Sequence, residues 1–168
     1  MKKVLSLTLA LILCLGSCIA LSSCNDSNGK YTVGIVQLVE HPALDAATEG
    51  FKQAIIDELG ADAVEFDYQN AQNDANTCST IVNQFVSNKV DLIMANATPA
   101  LQAAAAATSE IPILGTSVTE YGVALELKNF NGTVGGNISG TSDLAPLDKQ
   151  AEMILELFPE AKTVGLLY

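Results

Sequence analysis

The sequence predicts an α/β fold built on a parallel sheet. Three observations lead there. Half the 168 residues are apolar (49%) and only 16% are charged, enough to bury a core and to exclude overall disorder. From Tyr31 short β-rich runs alternate with longer helical patterns, the mark of βαβ units. The longer patterns carry apolar residues at helical spacing.

Taken in order, Tyr31 to Leu38 (YTVGIVQL) reads as a buried first strand. Ala43 to Leu59 follows as a helix with Ala47, Phe51, Ala54, Ile55 and Leu59 on one face and Gly60 placed to end it. Ala63 to Tyr68 is the second strand, Ala75 to Asn88 the second helix and Val90 to Ala95 the third strand. In the second helix Cys78 shares a face with Ile81, Val82 and Phe85, which points to core packing and not to a reactive thiol. The third helix opens at Thr98-Pro99, Thr as N-cap and Pro at the first helical position, and Ala103 to Ala107 let it lie close against the sheet. Ile111 to Leu114 is a fourth strand, and Gly132 to Ile138 a fifth, loosened by its glycines. A last helix runs from about Leu144 to Phe158, its stripe formed by Leu147, Ala151, Ile154, Leu155 and Phe158 and its end marked by Pro159. Thr163 to Tyr168 reads as another buried strand, either the opening of a second lobe or a sixth strand of the first sheet.

The eight basic residues are all Lys and face 19 Asp and Glu, a net charge of −11, so no nucleic-acid partner is expected. The first 24 residues hold two of those Lys and no acid, followed by an apolar run from Val4 to Leu15, the pattern of a secretory signal too short to span a membrane. Leu21-Ser22-Ser23-Cys24 resembles a bacterial lipobox: residues 1–23 would be the lipoprotein signal, Cys24 the lipidated residue and 24–30 a flexible tether. The alternative is an ordinary cleaved signal that leaves Cys24 incidental. Loss of Cys14 and Cys18 with the signal leaves Cys78 alone in the mature body, so no intramolecular disulfide is expected.

In open parallel sheets ligands bind beyond the carboxyl ends of the strands. Here those ends carry Val39-Glu40-His41-Pro42, Gln69-Asn70-Ala71-Gln72, Asn96-Ala97-Thr98-Pro99 and Gly115-Thr116-Ser117-Val118-Thr119, rich in amides and hydroxyls. The helix start at Thr98 suits an anion, Ser117 and Thr119 offer hydroxyls, and Glu40 offers a charge for an ammonium. Together they suit a zwitterion, a free amino acid; singly, each residue also fits a cap, a turn or a solvated surface. Glu40, the single His41 and Asp45 are a weak metal pattern, and no metal or other cofactor is expected. Nucleophile-elbow, GxxxxGK[ST] and GxGxxG patterns are absent, so no enzyme activity is expected.

The strings IVQLVEHPALDAATEGF, FDYQNAQND, VDLIMANATPALQAAAAAT, IPILGTSVTE, GGNISGTSDLAPLDKQ and KTVGLLY resemble the tryptophan and tyrosine ABC transporter substrate-binding lipoproteins, a type I periplasmic-binding-protein-like family. The resemblance runs from about Tyr31 to the end of the chain. It implies a flavodoxin-like parallel-sheet lobe over residues 31–140, with 141–168 as the first helix and strand of an incomplete second lobe. It also implies an amino-acid ligand, aromatic in many members, ABC permease subunits as partners, and a location outside the cytoplasmic membrane through the lipid anchor. Carried over by position, the cleft contacts implied are Gln37, Glu40, Asn96, Thr98, Ser117, Thr119 and Asp143. Members are roughly twice this length, so the expectation is a truncated frame, a fragment or a partial record, with its last apolar stripe exposed. A signalling receptor read by a sensor protein is the alternative role.

Overall fold

The computed structural model describes residues 29–165. Cys24, the signal segment and most of the tether lie outside the described residues. Among those described, no helix is long and apolar enough to cross a membrane.

Five strands form one parallel sheet: β1 (Tyr31–Gln37), β2 (Val64–Asn70), β3 (Leu92–Asn96), β4 (Ile113–Val118) and β5 (Ile138–Ser142), in the order β2-β1-β3-β4-β5. The connecting helices are α1 (Pro42–Leu59), α2 (Ala75–Asn88), α3 (Thr98–Ala107), the short α4 (Tyr121–Ala124) and, after β5, α5 (Leu147–Leu157). A single turn of 3-10 helix, Ala61–Ala63, enters β2. The expected α/β parallel-sheet class is the one observed.

One face of the sheet, with Val36, Ile93, Ala95 and Ile113, packs on α2, α3 and α4 through Cys78, Val82, Phe85, Leu101 and Tyr121. The other face, with Val33, Ile35 and Met94, takes Phe51, Ile55 and Ile56 of α1. Central strands closed on both faces explain why β1 and β3 read as nearly continuous apolar runs. Cys78 is fully buried beside Ile81, Val82 and Phe85 as its spacing predicted, and burial, aided by the charge of Asp74, raises its thiol pKa.

Several sequence expectations need correction. On α1, Ala54 and Leu59 face solvent, and Thr48 and Ile56 turn inward instead, because the helix covers only one narrow strip of sheet. Gly60 ends that helix as expected, at φ 88° with its N–H on Ile56 O. β4 starts at Ile113 and not Ile111, since Pro112 has no N–H for the ladder and offers only its carbonyl, to Ile93 N–H at 2.9 Å. The fifth strand is displaced from Gly132–Ile138 to Ile138–Ser142: Gly132, Gly135 and Gly136 adopt positive φ, which breaks extended pairing before Ile138. Sequence reasoning missed α4, a single turn capped by Glu120.

The last helix starts at Leu147 and not Leu144, because Pro146 excludes Ala145 from helical geometry. No residue of α5 is buried, and Leu147, Leu155 and Phe158 stay more than 60% exposed. Of the strand expected at Thr163 to Tyr168, Thr163 to Gly165 carry no strand pairing, and the rest lies outside the described residues.

Candidate functional site

The strand order reverses at β1: its connection to β2 leads to one side and β3 pairs on the other. Loops leaving such neighbours diverge and open a crevice over the carboxyl ends of the strands. The registers place Asn70, Gln37, Asn96 and Thr116 side by side there, a row of three amides and a hydroxyl across β2, β1, β3 and β4. Apolar strands that end on a polar row define where the core stops and chemistry begins.

Behind the row lies a buried network. Gln37 Nε2 donates to Val39 O at 2.9 Å and to Asp45 Oδ1 at 2.6 Å. Gln37 Oε1 accepts from Thr48 Oγ1 at 2.7 Å. Asn96 Nδ2 donates to Leu44 O at 2.8 Å, to Thr48 Oγ1 at 3.0 Å and to Gln37 Oε1 at 3.5 Å, and among the described residues Asn96 Oδ1 meets no donor. Gln37, Thr48 and Asn96 are all buried. Gln37 and Asn96, expected as cleft contacts, direct their amide nitrogens to the start of α1 and the loop before it, while Asn96 Oδ1 stays unpaired among the described residues. Sequence reasoning missed Thr48. Its signal was present, because Thr48, Phe51 and Ile55 follow offsets of three and seven, a hydroxyl inside an apolar stripe.

The N-termini of three helices at this end are closed by side chains. His41 Nδ1 accepts from Ala43 N–H at 3.2 Å, Asp74 Oδ1 from Thr77 N–H at 2.6 Å, and the Glu120 carboxylate from Gly122 and Val123 N–H. The bond from Thr77 holds the Asp74 carboxyl below its ordinary pKa. α3 has no side-chain cap. Thr98, expected to cap it, is already its first helical residue; the capping position is Ala97. Ala97 sits at φ 90° and ψ 158°, a region that only glycine enters freely. It is pinned on both sides, its N–H on Thr116 O and its carbonyl on Leu101 N–H, each 3.0 Å. Ser117, at the end of the neighbouring strand, also has positive φ, 54°, where the β4–β5 register shifts. Two strained non-glycine residues thus stand on adjacent strand ends beside an open helix N-terminus.

The other expected contacts divide in two. Ser117 and Thr119 leave β4 together, and Asp143 joins them, its N–H on Val118 O at 3.1 Å, while Ser142 Oγ donates to Thr119 O at 2.7 Å. Asp143 also supports burial in raising the Tyr121 hydroxyl pKa. Glu40 stands apart on the β1–α1 loop, exposed, at the rim of a cavity of about 290 Å³ that Gln37, Asp45, Glu49, Lys52 and Tyr68 also line. Lys52 pairs with Glu49 at 2.8 Å and lies 5.0 Å over the Tyr68 ring. Among the described residues no cluster of His, Cys, Asp and Glu has the makings of a metal site. Chemically the α3 start and the β4 end offer N–H groups and hydroxyls to an anion, and Glu40, at its own cavity, offers a carboxylate to a cation.

A family model described as ABC transporter substrate binding protein matches residues 32–168. The tyrosine-binding protein of Clostridioides difficile (strain R20291) is 46% identical over 145 residues, which cover 85% of this chain and 42% of that protein. A solved structure of a substrate-binding protein with adhesive properties from Clostridium difficile, ligand-free and open, aligns with TM-score 0.71 and 46% identity, over 82% of this chain and 47% of that one. An ABC domain from Streptococcus pneumonia in complex with L-Trp aligns with TM-score 0.73 and 35% identity, over 83% and 47%. The chain spans less than half the length of each of these relatives.

Proposed function

Because the chain belongs to the ABC transporter substrate-binding proteins, we propose that it captures a free amino acid, aromatic by preference, at the carboxyl ends of β1, β3 and β4. The observation that carries the reading is the uncapped N-terminus of α3 at the strand reversal, behind the strained Ala97. Its N–H groups and positive dipole end receive the ligand's α-carboxylate, with hydroxyls from Thr98, Ser117 and Thr119. The Glu40 carboxylate receives the ammonium. Aromatic preference is supported by the relatives whose names specify tyrosine and L-Trp.

Residues 31–140 act as the first lobe, and 141–168 open a second. The unburied apolar stripe of α5 supports this division, since a helix with such a stripe is built to be covered. Capture proceeds by closure over the ligand without covalent chemistry, and the closed form is presented to an ABC permease on the outer face of the cytoplasmic membrane. Lipidation at Cys24 would hold it there.

Isothermal titration of the chain against Trp, Tyr, Phe and Leu tests the reading. Saturable binding is expected, weakened at least about tenfold by Glu40→Gln, the scale of one lost charge-assisted hydrogen bond. The melting temperature should hold, because Glu40 is exposed. Absence of binding to every amino acid, or a Glu40→Gln variant that binds as the wild type does, overturns it.

A further inference from the structure

Thr48 touches both strand ends at the reversal. Its hydroxyl donates to Gln37 Oε1 at 2.7 Å and accepts from Asn96 Nδ2 at 3.0 Å, with 2% of the residue exposed. Holding Oε1 orients the whole planar Gln37 amide, whose Nε2 donates to Val39 O and Asp45 Oδ1. Val39 precedes Glu40, and Asp45 lies in the first turn of α1. Both flanks of the loop that carries Glu40 thus depend on one amide. Asn96 adds its bond to Leu44 O; with no donor to Oδ1 among the described residues, its orientation depends on Nδ2, and Thr48 accepts one of those bonds.

On the reading that the crevice binds an amino acid, we infer that Thr48 is a positioning residue for capture: its hydroxyl sets the β1–α1 loop and so aims Glu40, without touching the ligand. Valine matches threonine in shape and cannot donate. In Thr48→Val the buried Gln37 Oε1 loses its 2.7 Å donor and keeps only the long 3.5 Å bond from Asn96 Nδ2, and a buried acceptor left under-satisfied drives rearrangement. The amide turns and releases Val39 and Asp45.

The test compares Thr48→Val, Thr48→Ser and the core control Ile81→Val, by titration with L-tryptophan, amide hydrogen exchange and thermal melting. Thr48→Val should bind about tenfold more weakly or worse and exchange faster at residues 38–45, with α3 unchanged. Thr48→Ser, which keeps the donor, should restore both. Ile81→Val should lower the melting temperature and leave affinity within about twofold, separating positioning from stability. If Thr48→Val does not fold, Thr48→Ala removes the hydroxyl without the added methyl and is read in the same way. Wild-type affinity and wild-type loop exchange in a folded Thr48→Val or Thr48→Ala overturn the inference, as does failure of Thr48→Ser to restore them. A wild-type chain that binds no amino acid overturns the functional reading instead. The exchange arm then decides Thr48 alone: faster exchange at 38–45 supports the loop-setting role, and unchanged exchange sinks it.

Discussion

Replacing Ala97 by glycine should stabilise this protein, against the usual sign of an alanine-to-glycine change at a helix. Ala97 holds φ 90° and ψ 158°, and such a conformation costs a non-glycine residue about 1–3 kcal/mol. Glycine removes that cost. Against it stand about 0.4–1 kcal/mol from the looser unfolded chain and part of the roughly 0.8 kcal/mol that a buried methyl contributes, since Ala97 is only half-buried. The balance is a gain of about 1 kcal/mol, which at a urea slope of about 1–3 kcal/mol/M raises the midpoint by roughly 0.3–1 M. Ala104, fully buried in the same helix with ordinary helical geometry, is the control: Ala104→Gly should cost about 1.5–2 kcal/mol from lost propensity and a lost methyl. Urea unfolding followed by circular dichroism reads both variants. Opposite signs are expected. If Ala97→Gly destabilises as Ala104→Gly does, the strain assigned to the capping position is not there. Titration of Ala97→Gly adds a functional reading: a loosened α3 start should bind amino acid more weakly even as the fold gains stability.

Other outcomes follow from the core and the caps. A Cβ at Gly34 would lie 2.7 Å from ring carbons of the fully buried Phe85, so Gly34→Ala should cost about 1–3 kcal/mol; combined with Phe85→Leu the loss should fall short of the sum of the singles, and an additive urea cycle would refute the contact. Asp74 caps α2, and its folded pKa is lowered, so its contribution is present above the ordinary carboxylate range and lost as pH falls through the lowered folded value. The urea midpoints of wild type and Asp74→Ala should therefore differ at neutral pH and converge in acid; a gap independent of pH would count against the cap. Cys78, buried and raised in pKa, should resist alkylation at pH 8 in the native protein and react freely in urea, followed by mass mapping that separates it from Cys14, Cys18 and Cys24. Equal rates in both states would show that the α2 face is open.

Much of this protein is determined by its sequence alone. Alternating runs specify the first four strands and the three long helices between them, because period and composition act locally: Tyr31–Gln37, Ala75–Asn88 and the Cys78 face stand where spacing put them. Pro112 and Pro146 shift element starts by chemistry that is also written in the chain. The polar strand ends were legible too, since apolar runs that stop on Asn and Gln mark the sheet's carboxyl edge. Tertiary structure decided how those ends are used. Strand order, which no local pattern carries, brings Gln37 beside Asn96 across 59 residues of chain and slides Thr48 between them. The amide nitrogens of these two residues, which the family resemblance offered to a ligand, are thereby engaged by α1 and the loop before it. Only the folded sheet could force Ala97 into a glycine conformation, because the strain is imposed from outside, by a hydrogen bond from the next strand and the first turn of α3 closing on the same residue.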